Sequence, residues 1–238
     1  MAKATPIDHV PSRECFFRRI GPEGFEFPAC SACNAKLSKI EQAVAMLVLL
    51  ADYRGITDDD QMKKLVAGVS RNTPEMLPSG FHSLREKRNW LKEIGIAPRQ
   101  GELVADVPIM KMDPRWRTSF EAFCRKLLTA LYYKEMGKPL SQKNIIRTYF
   151  AQFVDVKARS VVETMQSMLP ELRIGERRNT NIGDQFSYIF GKREDADLFA
   201  FCAQMSHSWF IVGMAAKPEH VSDRHGYMSH ADNLRLNI

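Results

Sequence analysis

Cysteine is scarce in this chain of 238 residues: five are present, with one close pair at Cys30 and Cys33. An odd count with a single C-x2-C spacing argues against an extracellular disulfide framework, and the expected setting is a reducing cytoplasm. Long apolar runs are missing as well. The longest, Ala43 to Ala51, is too short to cross a bilayer, so no membrane partner is expected. The first residues lack the apolar core of a secretory signal. There is no internal repeat and no low-complexity tract.

What is present is ordinary in bulk. Apolar residues make up 45% and charged residues 26%, the balance of a folded soluble protein. The length suits one large domain, or a small module joined to a larger one. A formal charge of +6 and a pI near 9.1 favour an anionic partner without naming it.

The pattern divides the chain into three parts. Residues 1–54 begin as loop and short strands, punctuated by Gly21, Pro22, Gly24 and Pro28, with Phe25 and Phe27 alternating about Glu26 as on a half-buried strand. Ser38 followed by Glu41 reads as a capping box that starts a helix running to about Arg54, ended by Gly55. Residues 55–216 read as helices first. One opens at Thr57 and Asp60, one covers Leu84 to Ile94, and an extended stretch with Pro108 runs from Leu103 to Met112. The clearest helix follows Asp113-Pro114, carries Trp116, Phe120, Phe123, Leu127 and Leu131 at helical spacing, and closes at Gly137. Ser141 is expected to start another helix across Ile145 to Phe153, and Ala158 to Met168 a further one. Then Phe186 to Phe190, Leu198 to Ala203 and Trp209 to Ala215 read as a C-terminal antiparallel β meander. Residues 217–238 form a polar tail, in which His220, His225 and His230 do not align on a helix face. The expected fold class is therefore α+β.

The chemistry is concentrated near the start. Asp8-His9-Val10-Pro11 is followed by Cys30-Ser31-Ala32-Cys33-Asn34. Carboxylate and carboxamide oxygens suit a hard divalent cation. An imidazole suits a general base near neutral pH. Two thiols at C-x2-C spacing suit half of a tetrahedral zinc site. Together these are the parts of a small metal-dependent phosphodiesterase.

This segment resembles the HNH (ββα-metal) endonuclease family, in particular a bacterial group with an (E/D)HVP start and a later P-x-C-x-x-C-N turn. Asp8, His9, Pro11, Pro28, Cys30, Cys33, Asn34, Ser38 and Glu41-Gln42 carry the likeness, which covers about the first forty residues; a looser likeness continues at Tyr132 to Leu140. The resemblance implies an N-terminal ββα module in which Asp8 and Asn34 hold one Mg2+ or Mn2+ ion. His9, on the other side of its strand, would take the proton from the attacking water. It implies hydrolysis of DNA phosphodiester bonds. Two departures keep a second reading open, a catalytically degenerate nucleic-acid-binding or interaction scaffold. The region Gly24-Phe25-Glu26-Phe27 has no counterpart of the family's middle Asn, which braces the loop carrying the base. No Cys stands among residues 1–7, so a structural Zn2+ on Cys30 and Cys33 would need Cys15 as a third thiolate. Two buried thiols in a knuckle without metal are the alternative.

Arg13, Arg18, Arg19, Lys36 and Lys39 surround this segment and are candidates for holding a DNA backbone. They equally suit a solvated loop. Arg85, Lys87, Arg88 and Lys92 around Trp90 read as an exposed charged face, and Cys124 and Cys202 as core residues.

Overall fold

A computed structural model describes residues 6–51, 59–93, 103–105, 109–152, 163, 165, 169, 171–179, 182, 185–206 and 209–220. The chain is mixed α+β. It opens with a short antiparallel hairpin, β1 (Ile7–His9) on β2 (Glu26–Pro28). Helix α1 (Ser31–Leu50) follows at once, then α2 (Asp59–Asn72). A second small hairpin pairs β3 (Gly80–Phe81) with β4 (Met110–Lys111) around α3 (Leu84–Glu93). The long helix α4 (Arg115–Met136) leads into a five-stranded sheet. Its strands are β5 (Ile145–Gln152), β6 (Arg173–Ile174), β7 (Phe186–Arg193), β8 (Leu198–Met205) and β9 (Trp209–Ala216). They lie in the order β5-β9-β8-β7-β6, every pair antiparallel.

Alternation explains how the sheet is filled. Phe199, Phe201, Ala203 and Met205 of β8 point to the face that packs on α4, whereas Ala200 and Cys202 point to the other. Both faces are covered, so β9 is buried along its whole length and reads as a continuous apolar run. The apolar stripe of α4 meets the sheet edge, where the Phe120 ring stacks on Phe150 at 4.6 Å and on Trp209 at 4.5 Å. Burial of such a ring contributes about 1.5–3 kcal/mol. Gly137 closes α4 in the left-handed region at φ 69°, a conformation that a residue without Cβ adopts at no steric cost.

The C-terminal half of α1, Ala43 to Leu49, is apolar all round and buried all round. It lies against α2 and α4. Its N-terminal half is largely exposed, and the helix enters the core at Glu41. One hydrophobic core takes in Val10, Phe16 and Phe25 together with residues of α1, α4 and the sheet. Edge-to-face contacts of Phe25 with Phe186 (5.4 Å) and Tyr188 (5.9 Å) join the N-terminal hairpin to the C-terminal strands.

Two expected elements differ. The helix placed at Ser38 begins seven residues earlier, at Ser31, and ends at Leu50 within the described residues. Ser38 is inside it and donates to the Ala35 carbonyl (3.0 Å) rather than capping. The stretch from Ile145 is strand β5, not a helix: it pairs with β9 from Ile145 opposite Ala216 to Gln152 opposite Trp209. Its aromatic and β-branched residues suit that setting. The helix expected over Ala158 to Met168 and the tail from Val221 lie mostly outside the described residues.

Candidate functional site

The hairpin and α1 together form one wall of a cavity of about 510 Å³, onto which Asp8, His9 and Asn34 all open. The strand geometry separates the first two. Asp8 pairs across the hairpin with Phe27, and His9 with Glu26. Adjacent strand residues face opposite sides. Asp8 accordingly turns inward, its side chain only 12% exposed, and His9 stays half-buried at 32%. Asn34 lies on the first turn of α1, at the rim.

Glu26 organises the histidine side. Its Oε1 lies 3.7 Å from His9 Nδ1 and 4.0 Å from Arg13 Nη2, while its Oε2 accepts the Gly24 amide (3.1 Å). The hairpin loop is braced from far along the chain. Asn179 accepts from the Glu23 amide (2.9 Å) and donates to the Gly21 carbonyl (3.1 Å). Gln185 accepts from the Phe17 amide (2.8 Å).

The carboxylate side holds a group from a distant helix. Lys126, from the middle of α4, places its ammonium 2.6 Å from Asp8 Oδ2 and 2.6 Å from Glu41 Oε1. All three side chains are nearly buried. Burial pushes the Glu41 carboxyl up, and the Lys126 hydrogen bond and charge pull against it. Glu41 also lines the cavity.

Among the predicted backbone-binding residues, Arg13, Arg19 and Lys39 line the same cavity. Arg18 lines an adjoining cavity of about 380 Å³ with Arg19, Gln42 and Lys64, its guanidinium over the Phe17 ring at 5.0 Å. Arg19 pairs with Glu14 (3.5 Å). Lys36 is exposed on α1, outside both cavities.

Cys15 and Cys30 stand in different settings. Cys15 is a core residue whose burial, with Glu41 and Glu14 nearby, holds its thiol well above the usual range. Cys30 is exposed at the start of α1, about three turns or roughly 16 Å of helix rise before Glu41. A zinc site takes deprotonated thiolates about 2.3 Å from the ion, and burial disfavours that form at Cys15. The Cys33 side chain lies outside the described residues. Cys124 and Cys202 are buried, and burial alone raises the Cys202 thiol to about 12.

Oxygen donors fit a hard ion better. Asp8 and Asn34 present a carboxylate and a carboxamide to a roomy, polar cavity, the donor set of an ion that keeps much of its own water. Among the described residues no three His, Cys, Asp or Glu side chains converge as a metal-ligand group, so such an ion would rest on these two protein ligands.

Sequence reasoning missed Glu26, Lys126 and Asn179 as parts of this site, and took Glu41 for a helix cap. One local cue was available. Lys126 falls three residues after Phe123 and directly before Leu127, inside the buried stripe of α4, where a charge requires a partner.

No protein-family model matches this chain, and no curated protein and no solved structure matches it.

Proposed function

We propose that this chain is a divalent-metal-dependent endonuclease acting on DNA, with His9 as general base. The observation that carries the reading is the opening of Asp8, His9 and Asn34 onto one cavity, beside Arg13, Arg19 and Lys39. A Mg2+ or Mn2+ ion held by Asp8 and Asn34 would supply Lewis acidity at a phosphodiester. The chain's own residues do the rest. Arg13, Arg19 and Lys39 hold the phosphate backbone, where charge neutralisation provides affinity without regard to sequence. His9, with the Glu26 carboxylate 3.7 Å from its Nδ1, takes the proton of the attacking water. Asn179 keeps the loop carrying Glu26 in register with the hairpin.

The test is nicking of supercoiled plasmid by the full chain in Mg2+ or Mn2+, on double- and single-stranded substrates. His9→Ala is expected to lower the rate by about a hundred- to ten-thousand-fold while DNA binding holds. A second reading rests on Lys126, whose ammonium already neutralises Asp8. On that reading the site binds nucleic acid without cutting it. Binding by the wild type with no cleavage in either metal would select it, and absence of both would remove nucleic acid from the account.

A further inference from the structure

We propose that Lys126 is a resident cation competing with the divalent ion for Asp8, with Glu41 as the carboxylate that retains the ammonium when the ion binds. The inference rests on the nuclease reading of the cavity and adds a positioning residue to it. The geometry is specific. One ammonium sits 2.6 Å from an oxygen of each carboxylate, and both carboxylates line the cavity onto which Asn34 opens. The lysine backbone is held fast, because its neighbours Phe123 and Leu127 are buried in the core. Its side chain is a four-carbon stem carrying a compact point charge. An ammonium midway between two carboxylates can lose one of them and stay paired to the other.

The charge count gives the direction. Two carboxylates, Asp8 and Glu41, share the one ammonium, and a divalent ion must displace that ammonium from Asp8. Burial strengthens this competition, since neither the ammonium nor the carboxylates can relax into water. Removing Lys126 leaves the Asp8 and Glu41 carboxylates without their shared cation, in the cavity that Asn34 also lines. Removing the charge of Glu41 instead leaves Lys126 with Asp8 alone and tightens its hold.

The experiment is direct Mn2+ binding to the full-length protein, followed by electron paramagnetic resonance and calorimetry without DNA. Lys126→Met is expected to bind Mn2+ about tenfold or more tightly than the wild type, equivalent to about 1.4 kcal/mol or more. Glu41→Gln is expected to bind it about tenfold more weakly. Asp8→Asn placed on Lys126→Met should abolish the gain, which assigns the ion to this site. Lys126→Met removes one partner of a buried pair. If it fails to fold, Glu41→Gln with Lys126→Met removes both charges, and its Mn2+ affinity should exceed that of Glu41→Gln alone.

A lysine that held the cavity's shape without opposing the ion would, on removal, leave Mn2+ affinity unchanged or lower it. A folded Lys126→Met protein that binds Mn2+ no more tightly than the wild type overturns the proposal, as does a gain that survives Asp8→Asn or an absence of Mn2+ binding in every variant. Plasmid cleavage measured in parallel separates the two claims. Cleavage with no change in Mn2+ affinity removes only the competition. The expected Mn2+ changes without cleavage support the competition and remove only the nuclease.

Discussion

Asp197 offers a sharp test of how the sheet is tied to α4. It lies in the turn between β7 and β8, in the left-handed region at φ 49°, and is buried. Three segments donate to its carboxylate: Lys138 at 2.7 Å, Tyr132 at 2.5 Å and Asn144 at 2.9 Å. Lys138 is half-exposed, so solvent screens its share. Tyr132 is fully buried, and without Asp197 its hydroxyl would face the core with no acceptor. Hydrogen bonds to a charged group contribute about 1.5–3 kcal/mol each. Two such bonds from Tyr132 and Asn144 put the cost of Asp197→Ala at about 3–6 kcal/mol. For a chain of this length that corresponds to a fall in Tm of about 6–24 °C. Asp197→Asn keeps a side chain that tolerates the left-handed conformation and removes only the charge, so its loss should be smaller. The pH dependence has a definite sign. Lys138, Tyr132 and Asn144 hold the folded carboxyl well below its ordinary value. The stabilisation is then complete above the unfolded value of about 3.9 and is lost as pH falls from there through the folded value. The gap between wild type and Asp197→Asn should be level from about pH 5 to 8 and narrow below about pH 4. Urea unfolding across that range measures it. A loss under about 1 kcal/mol for Asp197→Ala would refute the reasoning.

Two further outcomes concern the basic loop and the sheet. Arg18→Gln with Arg19→Gln should weaken DNA binding and flatten the slope of log K against log salt by about 0.9 for each phosphate no longer neutralised, as read by fluorescence anisotropy; an unchanged slope would take these residues out of the interface. Gly213→Ala should destabilise by about 1–3 kcal/mol, because a Cβ there would stand 2.3 Å from Cε1 of the Phe201 ring, directly across from it on β8; the urea midpoint should fall with the m-value unchanged.

Some of this was legible in the chain because the governing interactions are local. The runs Leu198 to Ala203 and Trp209 to Ala215 read as strands from their own apolar, strand-forming content, with no knowledge of what covers them. Asp113-Pro114 and Gly137 bound α4 to within a residue or two, since they act on their own backbone. Other cues were ambiguous. Ile145, Ile146, Tyr149 and Phe150 fit a helical stripe as well as a strand, and pairing with β9 decides between them. Ser38 and Glu41 satisfy a capping pattern, yet Ser38 serves as an internal helix residue and Glu41 as the partner of a lysine on α4.

The sequence by itself determined the α+β class and the C-terminal meander, both consequences of periodicity. Only the tertiary structure decided what surrounds Asp8 and His9. That Lys126 neutralises Asp8, that Glu26 faces His9, and that Asn179 braces their loop are contacts between segments up to 158 residues apart. Hydrogen bonds and desolvated ion pairs act over a few ångströms, so they depend on where the folded chain returns to, and no local pattern carries that information.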